Sequence, residues 1–132
     1  MRDLIWDKTL SVQVEEIDED HRRLVESFNR LGHAMEQNEP REYVELLLEE
    51  LLACTEWHFK HEERLMFEAG YPDLEAHRKE HQELLDGIRE LHRRRIEANR
   101  PLSAGDIEHL EQWLTGHIFG SDMEAGSWIS AH

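Results

Sequence analysis

Apolar residues recur every three or four positions through most of this chain, and the recurrences fall into four runs separated by breakers. The first run is Ile17, His21, Leu24, Phe28, Leu31 and Met35, the spacing that lines one face of an α-helix. Asp18 stands where an N-cap belongs, with Glu19 and Asp20 in the first turn, so the pattern predicts a helix over 18–38. Asn38-Glu39-Pro40 breaks that helix and Pro40 is suited to open the next. Val44, Leu47, Leu51, Cys54, His58, Glu62 and Leu65 predict a second helix over 41–69, closed by the corner Gly70-Tyr71-Pro72-Asp73. Leu74, His77, His81, Leu84 or Leu85, Ile88 and Leu91 mark a third over 74–98. Asn99-Arg100-Pro101 ends it, and Ser103 caps a fourth over 104–122 with Ile107, Leu110, Leu114 and His117 inward. Four helices on short connections predict an all-α, antiparallel up-down-up-down bundle, one domain over 1–132. Residues 1–17 read as an extended arm carrying Leu4, Ile5, Trp6, Leu10, Val12 and Val14. Residues 126–132 read as a loose tail anchored by Trp128 and Ile129.

Polar residues sit inside those stripes. His58 and Glu62 are one turn apart on the second helix, and His77 and His81 are one turn apart on the third, so each pair shares a helix face. His21 and His117 occupy inward positions on the remaining two. A single inward histidine is ordinarily satisfied by a neighbouring hydrogen bond, but six polar groups on four apolar stripes would together cost several kcal/mol. A metal centre removes that cost. Asp122 is a seventh candidate: five residues after His117, it falls about 140° away on an ideal helix. With Gly120 between them, a bulged last turn would bring both to the centre; the plainer reading is that Asp122 ends the helix. Five neutral imidazoles and two carboxylates exceed what one tetrahedral zinc takes. They suit two first-row ions of octahedral preference bridged by the carboxylates; iron fits well, and manganese and cobalt stay open.

Charge and composition narrow the partners. Fifteen Lys and Arg against thirty Asp and Glu give a net charge of −15, which argues against nucleic acid and anionic membrane surfaces. Arg89, Arg93, Arg94 and Arg95 form a basic cluster that reads as a solvated helix end. A lone Cys54 makes no internal disulfide, and its inward position suits a small hydrophobe. No stretch approaches the roughly 20 apolar residues of a membrane span, and the N-terminus lacks a signal-peptide core, so the cytoplasm is the expected compartment. Of ten histidines, the extras His33, His61, His92, His109 and His132 are expected mostly to face solvent.

The motifs together resemble a known family. Trp6 and Ser11-Val12 in the arm are followed by Ile17-Asp18-x-x-His21, His58-Phe59-x-x-Glu62-Glu63, Met66, Tyr71-Pro72 and His77-x-x-x-His81. Trp113-Leu114-x-x-His117-Ile118-x-x-x-Asp122 completes the set. In that order they are similar to the hemerythrins in their single-domain bacterial form. The resemblance implies two iron ions with an oxo or hydroxo bridge: His77, His81 and His117 on one, His21 and His58 on the other, Glu62 and Asp122 bridging. It implies a vacant position on the two-histidine iron, where O2 binds reversibly; Leu24, Phe59, Trp113, Leu114 and Ile118 are the residues expected around it, with core packing alone an equal alternative for Leu24 and Leu114.

On that resemblance the chain would be no enzyme but an oxygen carrier, store or deliverer, with O2 and an oxygen-consuming enzyme as partners; the sequence itself leaves the oligomeric state open, with a monomer as the simplest expectation. The alternative is an oxygen sensor using the same site. A di-iron oxidase or peroxidase is a further alternative, disfavoured because such sites draw on Glu-x-x-His pairs. His77-Arg78-Lys79-Glu80-His81 also fits the H-x-x-E-H pattern of zinc peptidases, with Glu80 as base, but that leaves His21, His58 and His117 without a purpose. One departure stands out: where relatives often carry an aromatic residue this chain has Ala125, and Trp128 is the candidate substitute.

Overall fold

The computed structural model describes residues 14–97 and 102–131, so residues 1–13 of the arm expected over 1–17, the loop 98–101 and His132 lie outside the described residues. Helices α1 (Glu15–Glu36), α2 (Arg41–Ala69), α3 (Leu74–Glu97) and α4 (Ala104–His117) form an antiparallel four-helix bundle, with no strand among the described residues. A π turn (Ile118–Asp122) joins α4 to a fifth, short helix, α5 (Met123–Ala131). The alternation of direction is visible in where the polar stripe members fall. They come early in α1 and α3 and late in α2 and α4, so only antiparallel neighbours bring them to one level. No described helix is long and apolar enough to cross a membrane.

Local chemistry sets most of the boundaries. Gly70 takes the left-handed conformation at φ 70°. Its N–H bonds to Phe67 O at 3.1 Å and that of Tyr71 bonds to Met66 O at 2.9 Å, a Schellman close whose Met66 and Tyr71 side chains pack together. Asn38 also has positive φ, 53°, which its short polar side chain tolerates at the end of α1. Ser103 and Asp106 cap α4 reciprocally: Asp106 N–H donates to Ser103 Oγ at 3.1 Å and Ser103 N–H to Asp106 Oδ2 at 2.9 Å.

Two expectations are corrected. Helix α1 begins at Glu15 rather than Asp18, with Val14 at the cap position making no side-chain hydrogen bond. The extra turn puts Glu15, Glu16 and Asp18 against the positive end of the helix dipole and carries Ile17 into full burial. The tail from Gly126 is not loose, because α5 runs to Ala131 with Ala125 and Gly126 buried. Those small residues let α5 lie close over the α2–α3 corner, where Trp128 meets Tyr71 edge-on at 5.6 Å. Trp128 thus packs against the buried cluster of Met66, Tyr71 and Ala125 at this end of the bundle.

The apolar core fills one end of the bundle. Phe28 and Leu31 of α1, Val44, Leu47 and Leu48 of α2, Leu91 of α3 and Ile107 and Leu110 of α4 form one contiguous cluster. Cys54 is half-buried against it, as a small hydrophobe would be. Arg89 and Arg93 are exposed as expected, Arg94 is half-buried rather than solvated, and the side chain of Arg95 lies outside the described residues.

Candidate metal centre

At the other end the stripes turn polar and converge. The donor atoms of Glu62, His77, His81, His117 and Asp122 lie within 4.8 Å of one another, and so do those of His21, His58, Glu62 and Asp122. All seven side chains are buried, none more than 4% exposed. The two carboxylates belong to both groups, and their oxygens divide between them. Glu62 Oε1 faces His77 Nε2 at 2.5 Å and His81 Nε2 at 3.2 Å, while its Oε2 faces His58 Nε2 at 3.1 Å. Asp122 Oδ1 is 2.9 Å from both His77 Nε2 and His117 Nε2, while its Oδ2 is 2.8 Å from His21 Nε2. The result is three imidazoles on one side of a carboxylate pair and two on the other.

Asp122 reaches the centre through the π turn. A π turn bonds residue i to i+5, which stacks residues five apart and undoes the angle an α-helix would impose between His117 and Asp122. Gly120 is not what permits it, since a Cβ there would have nothing within 4 Å and its φ is ordinary.

Geometry and electrostatics both fit a cation pair. His81 Nε2 and His117 Nε2 are 3.1 Å apart, close to the separation of adjacent ligands at 90° on an ion about 2.1 Å away. His58 Nε2 and Glu62 Oε2 face each other without hydrogen-bonding geometry, and among the described residues both buried atoms lack a hydrogen-bond partner. Burial pushes Glu62 toward the neutral acid, but the charge of His58 and the close imidazoles of His21 and His77 outweigh it and hold the carboxyl well below its usual range. Asp122 is likewise held low, its burial and the nearby Glu62 charge overcome by His117 and His21. Burial also disfavours charged imidazoles, yet Glu62 and Asp20 lift His58 to about 9, and Asp122 and Glu62 lift His77 to about 9. His21 and His117 are raised by the same two carboxylates. Two buried anions thus demand positive charge from everything around them, and a bound cation meets that demand without protons.

A ring of outer carboxylates orients the imidazoles. His58 Nδ1 donates to Asp20 Oδ2 at 3.3 Å, His81 Nδ1 to Glu63 Oε2 at 2.8 Å, and His117 Nδ1 to Glu80 Oε1 at 2.7 Å. Each bond fixes the tautomer that turns Nε2 inward, the arrangement metal-ligating histidines favour. Arg78 holds Glu63 at 3.0 Å and Ser121 donates to Glu80. Phe59 stacks on His81 with ring centroids 3.8 Å apart and meets His117 edge-on, so one apolar ring positions two imidazoles.

Sequence reasoning assigned no such part to these outer residues. Glu80 was the base of the peptidase reading; its carboxylate is instead occupied by His117 and Ser121. Asp20 and Glu63 differ from their ligand neighbours by one position, so the stripe does not mark them. His61, expected to face solvent, is only 14% exposed and donates from Nδ1 to Asp20 Oδ2 at 2.5 Å. His33 and His109 are exposed and His92 half-buried beside Glu49, while His132 lies outside the described residues.

Beside the centre is an apolar cavity of about 40 Å³, lined in part by Leu24, Phe59, Trp113, Leu114 and His117. It has room for a diatomic molecule. Thr55, also in its wall, spends its hydroxyl on Leu51 O at 2.7 Å, so the surroundings favour a dry space. Ile118 does not line it; it is fully buried against Ile17 instead. Trp113 lies over Gly87, where a Cβ would come within 2.4 Å of the indole, so only glycine fits beneath that wall.

A family model described as the Hemerythrin HHE cation binding domain matches residues 12–129. Bacteriohemerythrin of Stenotrophomonas maltophilia is 34% identical over 129 residues, covering 98% of this chain and 83% of that protein. Myohemerythrin of Theromyzon tessulatum is 29% identical over 119 residues, covering 90% and 88%. A solved structure of wild-type hemerythrin superposes with a TM-score of 0.88 at 25% identity, covering 96% of this chain and 98% of that one.

Proposed function

The chain belongs to the hemerythrin family, and from that premise we propose that its seven converging side chains hold two iron ions and bind O2 reversibly, for carriage, storage or delivery. The observation that carries this reading is the division of each carboxylate between two groups of imidazoles, one oxygen toward His77, His81 and His117 and the other toward His21 and His58. One group offers three imidazoles and the other two, so the second retains a position for a small ligand. Iron, when bound, supplies the reversible redox chemistry that holding O2 requires.

The chain's own residues supply the rest. Asp20, Glu63 and Glu80 keep the Nδ1 protons of His58, His81 and His117 engaged, which leaves Nε2 free to ligate. Leu24, Phe59, Trp113 and Leu114 wall the neighbouring cavity with apolar surface, which excludes water and spare protons and so favours release of the ligand unchanged. The test is an optical titration of iron-loaded protein, moving from anaerobic to aerobic buffer. A visible absorption band should appear with air and vanish under vacuum over repeated cycles. A band that forms once and decays irreversibly, or none at all, contradicts the reading.

A further inference from the structure

Helix α2 carries a second periodic pattern, on the side turned away from the metal centre. The large hydrophobics exposed among the described residues are Tyr43 at 42%, Leu46 at 54%, Trp57 at 53% and Phe67 at 73%, and all four stand on this one helix. They are not scattered. Tyr43 and Trp57 are two heptads apart and Leu46 and Phe67 three, and exposed Ala53 continues the same three-and-four stepping. Exposed Glu50, Lys60 and Arg64 fill the remaining positions, so the seam is unbroken from residue 43 to residue 67. A 3.5-residue repeat along a solvent-facing side is what one helix offers another in a left-handed pair. The inward stripe of α2, from Val44 through His58 and Glu62, is already used by its own bundle.

We propose that this seam is the interface of a homodimer, in which a second copy docks its own α2 antiparallel about a two-fold axis near Ala53 and Trp57. The register that sets Tyr43 on the second copy's Phe67 also sets Leu46 on the alkyl stem of Arg64, Glu50 on Lys60, and Ala53 under Trp57. Every layer is complementary: ring with ring, apolar side chain with methylene stem, carboxylate with ammonium, small with large. By symmetry each layer occurs twice, as an isologous contact requires. A parallel pairing would set Glu50 on Glu50 and Lys60 on Lys60, so the charges select the antiparallel form.

The flanking charges permit it. Glu49, Glu56 and Glu63 border one side of the seam and are already held by His92 at 3.1 Å, Arg89 at 3.1 Å and Arg78 at 3.0 Å. On the other border Glu68 is paired with Arg64. The −15 charge of each copy repels the other at long range, but physiological salt screens that beyond about 8 Å. The seam is about 36 Å long and one helix wide, small among specific interfaces, the size class of reversible, transient contacts. Because His58 and Glu62 face the other way, iron content serves as an independent check of folding.

Sedimentation velocity of the iron-loaded full chain, from low micromolar to millimolar concentration, tests this. The wild type should pass from monomer to dimer across that range. Trp57→Glu should weaken association by at least about a hundredfold, the loss expected of a central aromatic anchor. Glu50→Lys and Lys60→Glu should each weaken it about tenfold, whereas the double variant should return to wild-type affinity and the two single variants, mixed, should pair with each other. Glu50 and Lys60 are exposed, so helicity and iron content should not change in their variants; Trp57 rests on His61 with ring centroids 4.9 Å apart, so association of its variant is compared at equal iron content. A wild type that stays monomeric at millimolar concentration overturns the proposal, whether solvent or residues 1–13 of the same chain then cover the seam. A dimer indifferent to Trp57→Glu, or a charge swap that fails to restore affinity, overturns it equally.

Discussion

The two ends of this bundle are built on the same four stripes and differ almost completely in what those stripes contain. One end is filled by Phe28, Leu31, Leu47, Leu48, Leu91 and Leu110, each of which contributes roughly 1.5–3 kcal/mol on leaving water. The other end buries five imidazoles and two carboxylates, groups that cost free energy unless charge and hydrogen bonds are matched around them. Cohesion is therefore intrinsic at the first end and depends on positive charge, from protons or a bound cation, at the second. The apolar end lets the fold carry a polar centre that could not hold itself together.

The sharpest way to break that contrast is to remove a group the two metal positions share. Glu62→Ala should abolish stable iron binding, with content in a colorimetric assay falling from two ions per chain to below one; retention of two would mean that the carboxylate is not common to both. Next in size is Leu48→Ala, in the apolar end and fully buried. It should cost about 2–5 kcal/mol in urea unfolding, by similar amounts with and without metal. A loss seen only in the metal-free protein would tie the two ends together.

The metal-free protein should also weaken in alkali. His58 and His77 sit near 9, above the ordinary histidine value. Their charged forms therefore stabilise the fold fully below about pH 6.5, and that contribution, on the order of 3 kcal/mol per residue at most, disappears as pH rises through 9. Iron-loaded protein should show no such slope, because ligation rather than protonation then satisfies the carboxylates. Equal slopes in the two forms would contradict this.

Much of the centre was legible in the sequence because it was written as an exception. His21, His58, Glu62, His77, His81 and His117 occupy positions that helical periodicity assigns to apolar residues, and a violation of pattern is easier to see than a role within it. Asp122 was legible only together with an assumed bulge, which the π turn supplies. The outer carboxylates carry no comparable mark: Asp20, Glu63 and Glu80 are acids in a chain rich in acids, and their meaning comes only from the imidazole each one faces. Helix α5 was hidden for another reason. Gly126 and Ser127 are weak helix formers, and burial of Ala125 and Gly126 against the α2–α3 corner, not propensity, holds that segment helical.

Two smaller effects sharpen the division further. Glu80→Gln, which loosens the grip on His117 Nδ1 without touching a donor atom, should lower iron affinity about 10–100-fold in competition with a chelator. An unchanged affinity would show that the outer ring is decoration. Leu114→Ala should leave iron loading near normal while shortening the life of the oxygenated form severalfold. Unchanged decay after stopped-flow oxygenation would remove Leu114 from the pocket wall.

The most direct measurement is a titration of metal-free protein with ferrous ion under argon, followed by calorimetry and by the iron retained after gel filtration. Two ions per chain are expected, released together when Glu62 is removed. Saturation at a single ion would contradict a shared pair of carboxylates and with it the division of the bundle into an end that coheres and an end that binds.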